Sequence, residues 1–228
     1  MDATIGTGLI GNIITNKFNV QHTYNRKNID QFVNHKYNTV YCAAPSSDRI
    51  FANQNPAADF NSTQKLIDII RHENWNQLIL ISTVDSLVKD TPYGLNRKLI
   101  ANELKKCKNF VSVLILPSLI HKDITKNILY DLKNKNEYIK YINLSSALQW
   151  YDLENLHNDI EFVIENKLKN INLVSEPITN KEIVNCFYSE NFDFEECHSS
   201  AFKYDIRPYR YTKQQILDSM NRYFANGT

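Results

Sequence analysis

Three of the chain's five glycines fall within six positions, as Gly6, Gly8 and Gly11 in the run Ile5-Gly6-Thr7-Gly8-Leu9-Ile10-Gly11. Each glycine of such a Gly-x-Gly-x-x-Gly turn has its own task. The first bends the chain tightly, the second lets the backbone approach a pyrophosphate, and the third allows a helix to pack closely on a strand. The N–H groups that open the helix, at Leu9 and Ile10, then face the anion. The pattern points to a dinucleotide held by the first strand–turn–helix unit. Which dinucleotide is read at the end of the second strand, at Tyr24-Asn25-Arg26. No carboxylate stands there to take a ribose 2′-hydroxyl. Arg26, beside Asn25, either pairs a 2′-phosphate, which favours NADP over NAD, or is a solvated surface cation.

Other chemistries find little support. Cys42, Cys107, Cys186 and Cys197 form no Cys-x-x-Cys pair, and the six histidines show no His-x-His or His-x-x-x-His spacing. Neither a zinc site nor a disulfide framework is expected, no metal ligand is assigned, and a reducing cytoplasm is the expected compartment. Lys and Arg total 26 against 25 Asp and Glu, a net charge of +1. That balance argues against a nucleic-acid or anionic-membrane binder. Aromatic and cationic residues alternate over Phe202–Tyr211, as in a base-stacking strip, but the charge balance favours packing or contact with a nucleotide diphosphate. The first residues lack the basic-then-apolar layout of a secretion signal. The longest apolar stretch, Phe110–Ile120, is too short to span a bilayer.

Elements that would position the glycine turn alternate regularly up to about residue 120. Strands are expected at Ala3–Ile5, Asn19–Tyr24, Thr39–Ala44, Leu78–Thr83 and Val111–Leu116. Helices are expected from Leu9, at Ile29–His35, and over Ala57–His72 and Tyr93–Lys106. Apolar strands separated by amphipathic helices require a parallel sheet covered on both faces, a doubly wound, Rossmann-type α/β fold. Beyond residue 120 the alternation loosens. Helices are expected at Ile124–Asn134, Asp152–Asn166, Thr179–Phe187 and Thr212–Phe224, with short strands near Tyr138–Leu144 and Ile171–Val174 and an irregular Ser189–Pro208. Thr179 followed by Glu182 forms a capping box. The division expected is a dinucleotide-binding core over 1–120 and a reduced substrate cap over 121–228, partly interleaved with the core.

With these pieces in order, the sequence resembles the extended short-chain dehydrogenase/reductase superfamily, the epimerase/dehydratase group that acts on nucleotide sugars. The pieces are the glycine turn, the small-residue strand ending Cys42-Ala43-Ala44, the helix run Asp59-Phe60-Asn61-Ser62-Thr63, the strand ending Ile81-Ser82-Thr83, and Pro92-Tyr93-Gly94. The likeness covers roughly residues 1–160. A single short helix joins the second and third strands, and in that compactness the chain is similar to the dTDP-4-dehydrorhamnose reductases. The resemblance implies Tyr93 as catalytic acid/base, Thr83 as the hydroxyl that orients the reacting oxygen, and Ala43 and Ala44 beneath the cofactor. It places Asn127 and Trp150 on the substrate side, and Asp85 either there or as a solvated loop aspartate. It also implies a homodimer built on the helices Ala57–His72 and Tyr93–Lys106.

Two departures stand out. The family's first glycine in the turn is Ile5 here, and its Tyr-x-x-x-Lys is Tyr93-x-x-x-Arg97. Residues four apart share a helix face, so Arg97 stands beside Tyr93. It is expected to lower the tyrosine pKa and hold the nicotinamide ribose as the lysine does. An arginine cannot lose a proton, which closes any relay through this position. The function expected is 4-keto reduction or epimerisation of a nucleotide-linked sugar with NADP or NAD; the alternative is a binding protein that senses NADP(H) or a nucleotide sugar without turnover.

Overall fold

A computed structural model of the chain describes residues 1–188 and 201–225. Cys197, His198 and part of the segment expected to be irregular lie outside the described residues. Along the chain run β1 (Ala3–Ile5), α1 (Leu9–Lys17), β2 (His22–Tyr24), β3 (Tyr37–Cys42), α2 (Arg49–Gln54), α3 (Pro56–Ile70), β4 (Trp75–Thr83), α4 (Asp85–Val88), α5 (Pro92–Leu104) and β5 (Phe110–Leu116). There follow β6 (Ser118–Ile120), α6 (Ile128–Asn134), β7 (Ala147–Leu148), β8 (Trp150–Asp152), α7 (Leu156–Glu165), β9 (Asn170–Asn172), β10 (Ile178–Thr179), α8 (Asn180–Phe187) and α9 (Lys213–Ala225).

The chain divides into two compact units. The first joins Met1–Ile115 to Asn155–Ile171, and the second joins Leu116–Glu154 to Asn172–Thr228. The first unit carries a six-stranded sheet in the order β2-β1-β3-β4-β5-β9. Its β1–β2, β1–β3 and β3–β4 pairs are parallel. Strands buried on both faces explain the apolar runs: every residue of β1 is buried, as are Leu78, Ile79 and Leu80 in β4. Helix α1 packs with α7, and α3 with α5. This is the α/β doubly wound architecture expected.

From β1 the chain steps to β2 on one side and then to β3 on the other. The carboxyl ends of β1 and β3 therefore form the topological switch point, where open α/β sheets bind their ligands. Gly6 and Ala43 stand at those ends.

The second unit holds a parallel β6–β8 pair and an antiparallel β7–β10 pair. Its core gathers Ile120, Leu132, Trp150, Ile178, Ile183 and Met220. The capping box at Thr179 and Glu182 is formed in both directions. The strand expected near Tyr138–Leu144 is instead a 3-10 turn over Glu137–Tyr141, started by the Asn136 side chain accepting from the Tyr138 N–H. Similarly, β2 begins only at His22, because Asn19 adopts a left-handed φ of 50° that an extended strand cannot accommodate.

Candidate functional site

Gly6 takes a φ of 104°, a conformation open to glycine. Its N–H donates to the Tyr24 carbonyl at 2.8 Å, while the Ala43 N–H donates to the Ile5 carbonyl at 2.8 Å. The turn is thus tied to both neighbouring strands. A Cβ on Gly6 would stand 2.8 Å from the Ala43 oxygen, and one on Gly11 only 1.8 Å from the Gly6 oxygen. Both glycines are demanded by the chain's own packing.

Gly8 is different. A Cβ there would meet no heavy atom of the described residues within 4 Å. As N-cap of α1 it also contributes no side-chain acceptor to the helix's opening N–H groups. An exposed glycine with free space above it, next to uncapped N–H donors, fits a bound pyrophosphate. Leu9 and Ile10, half-buried, supply those donors, and Ala43 and Ala44, half-buried, border the turn. At the end of β2, the Asn25 side chain accepts from the Lys27 N–H at 2.9 Å, which closes a local turn. Arg26 is exposed.

Tyr93 and Thr83 belong to the same unit. Thr83, half-exposed, ends β4 and accepts at Oγ1 from the Asp85 N–H at 3.3 Å. Tyr93 sits in the first turn of α5, which starts at the Thr91 cap. Its N–H donates to Asn53 Oδ1 at 3.1 Å, anchoring α5 to α2. Gly94 fixes the other contact: a Cβ there would lie 2.4 Å from the Lys89 oxygen and 2.7 Å from the Asp85 oxygen. Only glycine lets α4 and α5 meet this closely, so this glycine also serves the site's framework.

Arg97 is adjacent to Tyr93, as the helical spacing requires, with its guanidinium carbon 4.4 Å from the ring centroid. Its two terminal nitrogens, however, also bind elsewhere, while Nε has no hydrogen-bond partner among the described residues. Nη1 donates to Asp59 Oδ2 at 2.8 Å and Nη2 to Asp59 Oδ1 at 3.0 Å, a bidentate fork. Nη2 also donates to the Ser46 carbonyl at 2.5 Å, and Asn96 Nδ2 adds a bond to Asp59 Oδ2 at 2.8 Å. Arg97 is 4% exposed and Asp59 5%, so the pair is buried.

Burial pushes the Asp59 carboxyl up. The hydrogen bonds from Arg97 and Asn96 and the charges of Arg97 and Arg26 outweigh it, holding the group below the ordinary carboxylate range. At Tyr93 the balance is reversed. Burial, aided by the Asp85 charge, raises the hydroxyl above its ordinary value despite the opposing Arg97 and Arg49 cations. Arg97 acts in the expected direction, lowering the tyrosine pKa through its charge and a hydrogen bond, but desolvation of the buried phenol outweighs it.

Three residues expected on the substrate side have structural partners. Asp85 is buried and ion-paired with Arg49 Nε at 2.8 Å and Lys89 Nζ at 3.7 Å. Asn127, in the second unit, caps α6: Oδ1 accepts from the Tyr130 N–H and Nδ2 donates to the Leu119 carbonyl, both at 2.9 Å. Trp150, also in the second unit, is 0% exposed within the core, which leaves no face for a ligand. Sequence reasoning quoted Asp59 and Gly94 within motifs but gave neither a role, and it passed over Asn96. A signal existed for Asp59, since an arginine on a buried helix face calls for a carboxylate that can take its fork.

No protein-family model and no curated protein matches the sequence. Among solved structures the fold is clear. It is the fold shared by the solved structures of several nucleotide-sugar epimerases and reductases. A dTDP-4-dehydrorhamnose reductase from Clostridium acetobutylicum matches with a TM-score of 0.69 at 14% identity, covering 99% of both chains. The enzyme WbmG from Bordetella bronchiseptica, in complex with NAD and UDP, matches at 0.66 and 9% identity, covering 96% of this chain and 88% of that one. A UDP-glucose 4-epimerase from Thermotoga maritima, with UDP-glucose, gives 0.65 at 11% identity, covering 93% and 89%.

Proposed function

We propose that the chain is an NAD(P)-dependent oxidoreductase or epimerase acting on a nucleotide-linked sugar in the cytoplasm. The observation that carries this reading is the open space at Gly8, at the switch point of a sheet whose fold matches nucleotide-sugar epimerases and reductases. Gly6, Gly8, Leu9, Ile10 and Gly11 would hold the pyrophosphate of the dinucleotide, and Ala43 and Ala44 would floor it. Exposed Arg26 would take a 2′-phosphate, which favours NADP. When bound, the nicotinamide supplies or accepts a hydride.

The chain's own residues handle the proton. Thr83 orients the reacting oxygen through its hydroxyl, and Tyr93 passes a proton to that oxygen or removes one from it. Arg97 would stiffen Tyr93 by packing on its ring. Incubation with NADPH or NADH and a panel of 4-keto nucleotide sugars tests the reading. Cofactor oxidation that disappears in Tyr93→Phe supports it, whereas no oxidation with any substrate overturns it.

The second reading is a sensor that binds the dinucleotide or nucleotide sugar without turnover. The engagement of Arg97 by Asp59 favours it, because the cation at the family's lysine position is committed to the protein. A C2 homodimer across α3 and α5 accompanies either reading. Exposed Phe60 and Leu95 are the apolar residues those helices would bring to the seam. Light scattering that gives the mass of one chain at micromolar concentration would exclude the dimer.

A further inference from the structure

We infer that Arg97 is a positioning residue for the loop between β3 and α2. Locked to Asp59, it holds Ser46 and so fixes a wall beside the glycine turn, against which a bound dinucleotide lies. The use of that wall rests on the dinucleotide reading proposed above; its rigidity rests on the geometry of the chain itself.

The wall runs over residues 43–48. Its near end is built into the sheet. The Ala43 N–H donates to the Ile5 carbonyl at 2.8 Å, and the Ala43 oxygen would stand 2.8 Å from a Cβ on Gly6. The far end is held less by packing, since Ser46, Ser47 and Asp48 are exposed. A segment with few buried contacts opens easily unless something ties it down. Arg97 reaches this end from the interior: it is buried, and its Nη2 donates to the Ser46 carbonyl at 2.5 Å. Beyond that tie the chain passes straight into α2. The Ser46 hydroxyl accepts from the Asp48 N–H at 3.3 Å, and Asp48 Oδ1 accepts from the Phe51 N–H at 3.0 Å.

Asp59 fixes the direction of that reach. Its two oxygens take Nη1 and Nη2 of Arg97 at 2.8 and 3.0 Å, and Asn96 Nδ2 adds a donor at 2.8 Å. A guanidinium plane pinned by this fork, with its carbon 4.4 Å from the Tyr93 ring centroid, has little freedom to swing. The second hydrogen on Nη2 is therefore aimed at Ser46. A lysine ammonium could pair with Asp59, but as a point charge on a flexible stem it would not fix a second bond at a set angle. The arrangement asks for arginine. A wall already fixed when the ligand arrives need not be ordered on binding, and affinity is higher for it.

The test compares wild type with Arg97→Lys as full chains. Without ligand, NMR backbone order parameters at Ser46, Ser47 and Asp48 should be near the rigid value of about 0.85 in wild type and fall towards about 0.6 in Arg97→Lys, with β4 unchanged. Wild-type values already near the flexible limit, values equal in the two proteins, or a β4 that loosens equally would overturn the inference. Calorimetry with ADP and with NADPH then separates a wall from a direct contact. ADP lacks the nicotinamide and its ribose, so a wall beside the pyrophosphate predicts a loss of about tenfold in affinity for both ligands in Arg97→Lys. A loss confined to NADPH would mean that Arg97 touches the nicotinamide half itself, and the inference fails; it fails equally if neither affinity changes. Should Arg97→Lys not fold, Asp59→Asn/Arg97→Gln, which removes both charges together, carries the same expectations. Wild type that binds neither ligand would remove the dinucleotide reading, while the order parameters still decide whether Arg97 holds the loop.

Discussion

The two ends of the candidate site are finished in opposite ways. At the glycine turn the protein leaves space that its own packing does not use, since a Cβ on Gly8 would touch nothing among the described residues. Around Arg97 the side chains close on one another: a bidentate pair, a third donor from Asn96 and a carbonyl from Ser46. Gly6 and Gly11 show that the turn is not merely loose, because backbone atoms approach both within clashing distance of a Cβ. The contrast separates two reasons for a residue's identity. Gly6, Gly11, Gly94 and Asp59 answer to the fold, whereas no contact within the described residues demands a glycine at position 8.

The largest effect expected is at the closed end. Asp59→Ala leaves the Arg97 cation buried without its partner and should cost about 3–5 kcal/mol of unfolding free energy in denaturant titrations. Replacing both members, as in Asp59→Leu/Arg97→Met, should recover most of that loss, because the penalty comes from the unpaired charge. A double variant as unstable as the single one would mean that shape, not charge, holds this region together.

Gly11→Ala comes next, at about 3 kcal/mol, since its Cβ must displace backbone. Gly8→Ala should stay within about 0.5 kcal/mol of wild type. Equal losses at the two glycines would dissolve the distinction drawn between them.

Acid titration gives a smaller, graded comparison with the second unit. The Glu182 carboxyl, partly buried but held by Lys213 and the Thr179 cap, lies at about 2, and Asp59 is also depressed. Carboxyls lowered by folding contribute stability in full above their ordinary pKa near 4 and lose it as the pH falls through the folded value. Stability should therefore decline below about pH 4, and Glu182→Gln should flatten part of that decline. An unchanged acid profile in Glu182→Gln would show that the cap contributes no charge-dependent stability.

The first unit was largely legible in the sequence because apolar strands and amphipathic helices of ordinary length write their periods plainly. The glycine turn was legible because glycine is needed there for local reasons, within six residues. The second unit was harder to read. Its strands are two or three residues long, and a segment such as Glu137–Tyr141 is decided by the Asn136 cap more than by its apolar content. Spacing correctly put Arg97 beside Tyr93, yet it could not give the electrostatic outcome. That depends first on the burial of the phenol, while Asp59, the partner of Arg97, lies 38 positions earlier and is brought in by helix packing. Trp150 and Asn127 carried family-like identities, but one stands in a core and the other caps a helix.

The space at Gly8 is proposed to hold the pyrophosphate of a dinucleotide. Calorimetric titration of wild type and Gly8→Val with NADPH and NADH tests it most directly, with denaturant curves collected alongside. Wild type should bind, and Gly8→Val should lose at least tenfold in affinity while unfolding at the same denaturant concentration. No binding of either cofactor to wild type at millimolar concentration would contradict the account, as would equal affinity in the two proteins.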